Sequence, residues 1–373
     1  MIGLLKVAAK LAAGRPPVGS SPADEVIREN KWRLLRYRRE GAPLRYATPV
    51  LLVPSLINRH YVLDLLPGRS FVEHMVKAGH DVFLLDWGTP GDEDRFVTFD
   101  TVCDRYLGRA LRATCKAAGQ PQAHLLGYCL GGTLTAIHAA ARPEHVASLV
   151  ALAAPINFHD QGLLSIWTRG KTFDVDAVVD AFGNAPWPLM QASFHMLKPT
   201  LNLVKLMQLV ERSADDEFLD SFFAIETWGA DNISFPGECY RRYIKELYRG
   251  NALMQGTFTL SGRPARLEDV RCPTLAVTFQ HDHIVPPESC RVLLDRVGSR
   301  VTRQIHLSGG HVGAVVSRRA ASGLWPQLSA WWAEHEVVQE APRLATKPAP
   351  ARPAPKARAP KRAEEGGKAR PRS

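Results

Sequence analysis

Ala123-His124-Leu125-Leu126-Gly127-Tyr128-Cys129-Leu130-Gly131-Gly132 reads as a short apolar strand, a tight turn with a cysteine at its apex, and the opening of a helix that runs on in Ala, Thr and Leu to Ala141. The turn needs its glycines. A nucleophile held in a strained strand-to-helix turn leaves no room for side chains two positions to either side, and Gly127 and Gly131 occupy those positions. The helix N-terminus beneath Cys129 favours a thiolate, lowering the thiol pKa from about 8.5. The backbone N–H of Leu130 is placed to donate to an oxyanion. The competing reading is a buried, inert cysteine in a tight turn; the strand–turn–helix context argues against it.

Outward from this turn the chain alternates apolar runs with helical patterns. Pro49–Val53 (PVLLV), Asp81–Asp86 (DVFLLD) and Leu149–Ala153 read as strands. Ser70–Ala78 reads as a helix, and Phe99–Ala118 shows apolar residues at helical spacing. Unalternating apolar strands separated by helices indicate a parallel sheet covered on both faces. The rhythm stops over 156–265, a stretch rich in Trp, Phe, Met and Leu, which reads as a helical cap over the sheet's C-terminal edge and supplies apolar lining for a pocket. It resumes with a strand at Pro273–Phe279, a helix near Glu288–Val297, a strand at Val301–Leu307 and helices to about Val338. Residues 14–28 read as a linker or loop, and a helical stretch is expected from Lys31 into Tyr46. Met1–Ala13, apolar with Lys6 and Lys10 inside it, reads as a helix packed on the body or a frayed end. A lipid-facing amphipathic helix is the alternative, and the charge order is not that of a signal peptide. The chain thus divides into an N-terminal segment and linker (1–30), two parts of one α/β core (31–155 and 266–338), a cap (156–265) and a tail (339–373).

A nucleophile on such an elbow takes its partners in the order acid, then histidine, from the ends of later strands. Asp282 follows the strand Pro273–Phe279, and His311 follows Val301–Leu307 in the glycine-bearing loop Ser308-Gly309-Gly310-His311. These make a Cys129–His311–Asp282 set on an α/β-hydrolase fold, with a mostly parallel sheet, helices on both faces and a helical lid. A turn or N-cap role for Asp282 and a surface role for His311 are the bland alternatives. His281 and His283 adjoin the acid and cannot easily bridge it to another strand. His283 reads as a contact to the acid or the substrate. A second oxyanion donor is expected from the loop Pro54–Asn58, from the N–H of Leu56 or Ile57.

Composition narrows the class. Of the net charge of +10, residues 341–373 hold ten Lys/Arg against two Asp/Glu, which leaves +2 for the rest. A near-neutral body gives no reason to place nucleic acid on the fold. That segment has seven prolines and few large apolar side chains, so it is expected to be disordered. The six cysteines show no C-x-x-C pair or zinc-ligand spacing, which suggests a reducing compartment. No apolar run approaches the ~18 residues of a membrane span.

The sequence resembles the polyhydroxyalkanoate synthases over roughly residues 30–335. The matching stretches are Leu56-Ile57-Asn58-Arg59-His60-Tyr61-Val62-Leu63-Asp64-Leu65, Leu85-Asp86-Trp87-Gly88, the box Gly127–Gly132, and the loops His281–Pro286 and Gly309–Gly313. The resemblance implies that Cys129 is the acylated nucleophile, His311 the general base and Asp282 its partner. It implies no cofactor, with a 3-hydroxyacyl coenzyme A thioester as substrate and a polyester chain as product. The chain lacks the long N-terminal region of the single-subunit synthases and looks more like the short kinds that work with a second subunit. Those often carry another residue at the position of Leu130. A homo-oligomer, a cytoplasmic location and association with polyester granules are further expectations, with no specific nucleic acid and no transmembrane segment. Two rival functions remain at this level. One is a Cys-dependent acyl-CoA thioesterase or hydrolase on the same fold. The other is a low-activity granule-associated or nucleic-acid-binding scaffold, suggested by the basic tail.

Overall fold

The computed structural model describes residues 2–14 and 16–337; the tail expected from 339 onward lies outside them. Among the described residues ten strands form: β1 (Ala23–Glu29), β2 (Trp32–Tyr37), β3 (Val50–Val53), β4 (Val82–Asp86), β5 (Ala123–Tyr128), β6 (Val146–Leu152), β7 (Thr259–Leu260), β8 (Arg263–Pro264), β9 (Thr274–Phe279) and β10 (Thr302–Leu307). Eight make one sheet in the order β1-β2-β4-β3-β5-β6-β9-β10, and β7 and β8 pair separately in the cap. From β4 to β10 every pairing is parallel, while β1 and β2 are added antiparallel at one edge. The central strands are buried along their whole length. Apolar clusters pack on both faces of the sheet, which is why these strands read as continuous apolar runs rather than alternating ones.

The edge corrects two expectations. Residues 14–28 are not simply a linker, and the segment from Lys31 is not helical; β1 and β2 form a hairpin there. Trp32, Leu34, Leu35 and Tyr37 are buried, while Arg33 pairs with Asp86 and Arg36 with Asp81 across to β4. Interspersed arginines and leucines resemble a helical stripe. Tertiary ion pairs decide in favour of a strand.

The cap, 156–265, is helical except for the small β7–β8 hairpin. Its helix Asp216–Ala230 receives the N-terminal helix Ile2–Ala12, through Lys6 to Asp216 at 2.6 Å and Lys10 to Asp220. Among the described residues no helix is long and apolar enough to cross a membrane.

Candidate active site

The helix Leu130–Ala141 begins immediately after Cys129, which takes φ +54° and ψ −129°. Few non-glycine residues adopt this conformation, and it costs about 1–3 kcal/mol. The surroundings impose it. The Cys129 N–H donates to Leu152 O at 2.9 Å and the Gly132 N–H to Cys129 O at 2.8 Å. A Cβ on Gly127 would sit 2.3 Å from Thr135 Oγ1, and one on Gly131 would sit 2.1 Å from Val53 O. The second of these close approaches is how the helix start packs against the end of β3. It brings Leu130 beside the loop Pro54–Asn58, so the two sources of predicted oxyanion N–H groups adjoin. As the first helical residue, Leu130 has no preceding turn to accept its N–H. Leu56 is buried and Ile57 half-buried.

His311 and Asp282 meet as loops after β10 and β9. His311 Nδ1 lies 2.7 Å from Asp282 Oδ2, with both side chains almost wholly buried. The other carboxylate oxygen accepts the N–H groups of Ile284 and Val285, each at 2.9 Å. The two loops are tied by the His281 N–H donating to Gly309 O at 2.9 Å. Burial would lower the His311 pKa. The Asp282 carboxylate and the Cys129 sulfur, both hydrogen-bonded to the ring, outweigh burial and raise it to about 10. With Nδ1 on Asp282, Nε2 is the nitrogen that faces Cys129. The arrangement favours a protonated imidazole beside the Cys129 sulfur. Burial pushes the thiols of Cys115 and Cys272 up to about 11 and that of Cys290 to about 12, and it raises those of Cys103 and Cys239 as well. Each is thus a poor nucleophile at neutral pH.

The structure does not bring His283 to the acid. Its side chain is exposed and makes no hydrogen bond to Asp282. Backbone N–H groups of the same loop support the carboxylate instead.

Sequence reasoning passed over three tyrosines. Tyr128, next to the nucleophile, stacks on the His311 ring at 5.3 Å and donates its hydroxyl to His311 O at 3.2 Å. Tyr243 and Tyr248 descend from the cap and make edge contacts with Phe158. Burial raises the pKa of both, and the nearby Cys129 adds to the effect. For Tyr243 and Tyr248 the signal was the aromatic content of the cap, which does not say which rings lie near the cysteine; Tyr128 stood in the elbow motif itself.

The motif residues around the site also have partners. Asp86 receives Arg33 Nε at 2.8 Å and the Gly88 N–H at 3.0 Å, and lies 3.1 Å from His60 Nδ1. Burial opposes its charge, but these partners hold its carboxyl well below the usual range. Trp87 Nε1 donates to Pro54 O at 3.0 Å, which fixes the start of the loop that carries Leu56. A cavity of about 500 Å³ is lined by Arg95, Asp180, Glu238 and Arg241; it contains none of the predicted site residues, and its charged groups are largely paired with one another.

Strand order, elbow and the acid and histidine loops define a chain of the α/β-hydrolase class. A family model described as "alpha/beta hydrolase fold" matches residues 48–314. Among solved structures, a soluble variant of monoglyceride lipase from Saccharomyces cerevisiae aligns with a TM-score of 0.54 at 13% identity, over 87% of this chain and all of that one; the likeness is one of fold. A second family model, "Poly-beta-hydroxybutyrate polymerase (PhaC) N-terminus", matches residues 9–75. The poly(3-hydroxyalkanoate) polymerase subunit PhaC of Allochromatium vinosum is 34% identical over 84% of this chain and 88% of its own length. The protein of the same name from Haloferax mediterranei is 38% identical over 85% of this chain, which spans 65% of that relative. The chain belongs to the poly(3-hydroxyalkanoate) polymerase (PhaC) family.

Proposed function

We propose that the chain is a polyhydroxyalkanoate synthase that takes 3-hydroxyacyl groups from coenzyme A thioesters and joins them into a polyester through an acyl thioester on Cys129. One observation carries this reading: an elbow cysteine beside an imidazole whose Nδ1 is held by a buried carboxylate. The thiolate attacks the thioester carbonyl, and the oxyanion is met by the N–H of Leu130 and by that of Leu56 or Ile57. The coenzyme A thiolate leaves and takes the proton from His311. Exchange of one thioester for another is nearly isoenergetic, so the acyl group stays activated. The hydroxyl of a second 3-hydroxyacyl unit then attacks, giving its proton to His311, and the Cys129 thiolate departs as the new ester forms. Asp282 fixes the imidazole tautomer and stabilises its positive charge.

Water would divert the acyl-enzyme to free acid. Tyr243 and Tyr248, near enough to Cys129 to feel its charge and packed on Phe158, would exclude it with their apolar bodies. His283, exposed on the rim, is available to the substrate rather than to the acid. No cofactor is required by this chemistry. The relatives are named as subunits, and we extend to this chain a second synthase subunit, a homo-oligomeric state and a cytoplasmic, granule-associated location.

The test is incubation of the pure protein with 3-hydroxybutyryl-CoA, with and without candidate partner subunits. The expected result is release of coenzyme A together with insoluble polyester. Stoichiometric release of free 3-hydroxybutyrate without polymer would make the protein a thioesterase instead.

A further inference from the structure

The loop that carries Leu56 and Ile57 is gripped from two sides. The core holds its start, through Trp87 Nε1 on Pro54 O. The cap holds its continuation. Asp231 Oδ1 receives Arg59 Nε at 3.0 Å and Oδ2 receives the Tyr61 hydroxyl at 2.8 Å. Asn232 Oδ1 receives Asn58 Nδ2 at 2.6 Å. Trp228 Nε1 donates to Arg59 O at 2.9 Å, and the Ile233 N–H to Ile57 O at 3.5 Å. One short cap segment, Trp228–Ile233, thus contacts Ile57, Asn58, Arg59 and Tyr61.

Asp231 is the centre of this grip and an odd choice for its local position. It is the C-cap of the helix Asp216–Ala230. A carboxylate there faces the negative end of the helix dipole, so it works against the helix that it ends. Its value must lie in the two donors it holds. Both come from the segment that follows Leu56 and Ile57.

We propose that Asp231 is a positioning residue: through Arg59 and Tyr61 it fixes the loop bearing the Leu56 and Ile57 N–H groups, so that the oxyanion site is complete only when the cap is seated. This rests on the reading of that loop as an oxyanion donor given above. It makes cap closure a condition for acyl transfer and not only a barrier to water. An open cap admits substrate with a loose donor loop, and a closed cap sets the donors as the carbonyl arrives.

A latch that merely kept the cap on would change access to Cys129 for every reagent alike. A positioning role changes only reactions that develop an oxyanion. The test therefore uses the full-length protein with two acyl donors, 3-hydroxybutyryl-CoA and p-nitrophenyl butyrate, beside iodoacetamide. Iodoacetamide alkylates a thiolate by displacement at saturated carbon and forms no oxyanion. Labelling of Cys129 is read by mass spectrometry. In Asp231→Ala, acylation is expected to fall about 10- to 100-fold with both donors, the scale of a misplaced reacting group, while alkylation stays within about threefold of wild type. Asp231→Asn keeps one acceptor and is expected to fall between. Tyr61→Phe, which removes one donor and keeps the ring, should show the same selective loss at smaller size; these two variants decide the matter if Asp231→Ala does not fold. Unchanged acylation, or acylation and alkylation falling together, would overturn the proposal. A wild-type protein acylated by the ester but not by the coenzyme A thioester would sink the synthase reading and leave the Asp231 comparison valid. Acylation by neither would overturn both.

Discussion

Cys129 carries its side chain at φ +54°, where glycine alone is relaxed. Cys129→Ala and Cys129→Gly should both lose coenzyme A release and acyl labelling. The glycine variant should nevertheless be the more stable of the two, by about 1 kcal/mol, which paired denaturant titrations would read; a less stable glycine variant would mean that the elbow is not strained. The histidines separate just as sharply. His311 touches both Asp282 and Cys129, so His311→Ala should remove acylation and elongation with a rate loss of several orders of magnitude, the scale for a triad base. His283 is exposed and off the acid, so His283→Ala should cost at most ~10–100-fold, borrowing the scale of groups that orient a catalytic residue. Single-turnover release beside steady-state polymer formation distinguishes them, and a dead His283→Ala with an active His311→Ala would reverse the roles. Cys129, Asp282 and His311 were legible because each follows an apolar strand and is flanked by residues that punctuate it. Tyr128, Tyr243 and Tyr248 were not, because their value comes from contacts between segments far apart in the chain, and an aromatic in a cap has ordinary packing uses.

At the scale of elements, the parallel strands were readable because burial on both faces leaves an unbroken apolar run, as in Val50–Val53 and Thr274–Phe279. The hairpin β1–β2 was not, since it lies at an edge and its arginines are satisfied by Asp81 and Asp86 from another strand. The glycines of the elbow couple the helix to β3. Gly131→Ala would drive a methyl group into Val53 O and Pro54 O. It should cost at least ~2 kcal/mol by overpacking and slow acylation by shifting Leu130 away from the loop; a variant of wild-type stability and rate would argue that the two elements are not closely packed. At the other end of the sheet, His80 and His124 are buried, each with one ring nitrogen unpartnered among the described residues. Burial lowers their pKa values to about 4 and about 3, below the usual ~6.5. Between those values and ~6.5 the unfolded chain binds more protons than the folded one, so stability should fall as pH drops below ~6.5 and continue to fall to about pH 4. Melting curves from pH 7 to 4.5 should therefore slope more steeply in wild type than in His124→Gln. An unchanged slope would remove His124 from the account.

At the scale of the whole molecule, the cap is anchored at several points: by the N-terminal helix through Lys6 and Lys10, by Arg69 and Arg318 on Glu217, and by Arg59 and Tyr61 on Asp231. That 156–265 is mostly helical could be read from where the βα rhythm stops, but these attachments could not, since each joins residues far apart in the chain, as Arg69 and Glu217 are, 148 positions apart. The tail carries most of the net charge and few core-forming residues. Deleting residues 341–373 should leave polymer formation nearly intact and change association with granules or polyanions; loss of most activity in the truncated protein would place the tail in the catalytic unit. The proposed cycle stands on the acyl-enzyme. Rapid acid quench of the protein with 3-hydroxybutyryl-CoA, digestion and mass spectrometry of all six cysteine peptides should find the 3-hydroxybutyryl thioester on Cys129, formed as fast as coenzyme A is released. An adduct on Cys103, Cys115 or Cys290, or coenzyme A release with Cys129 unmodified at every time point, would contradict it.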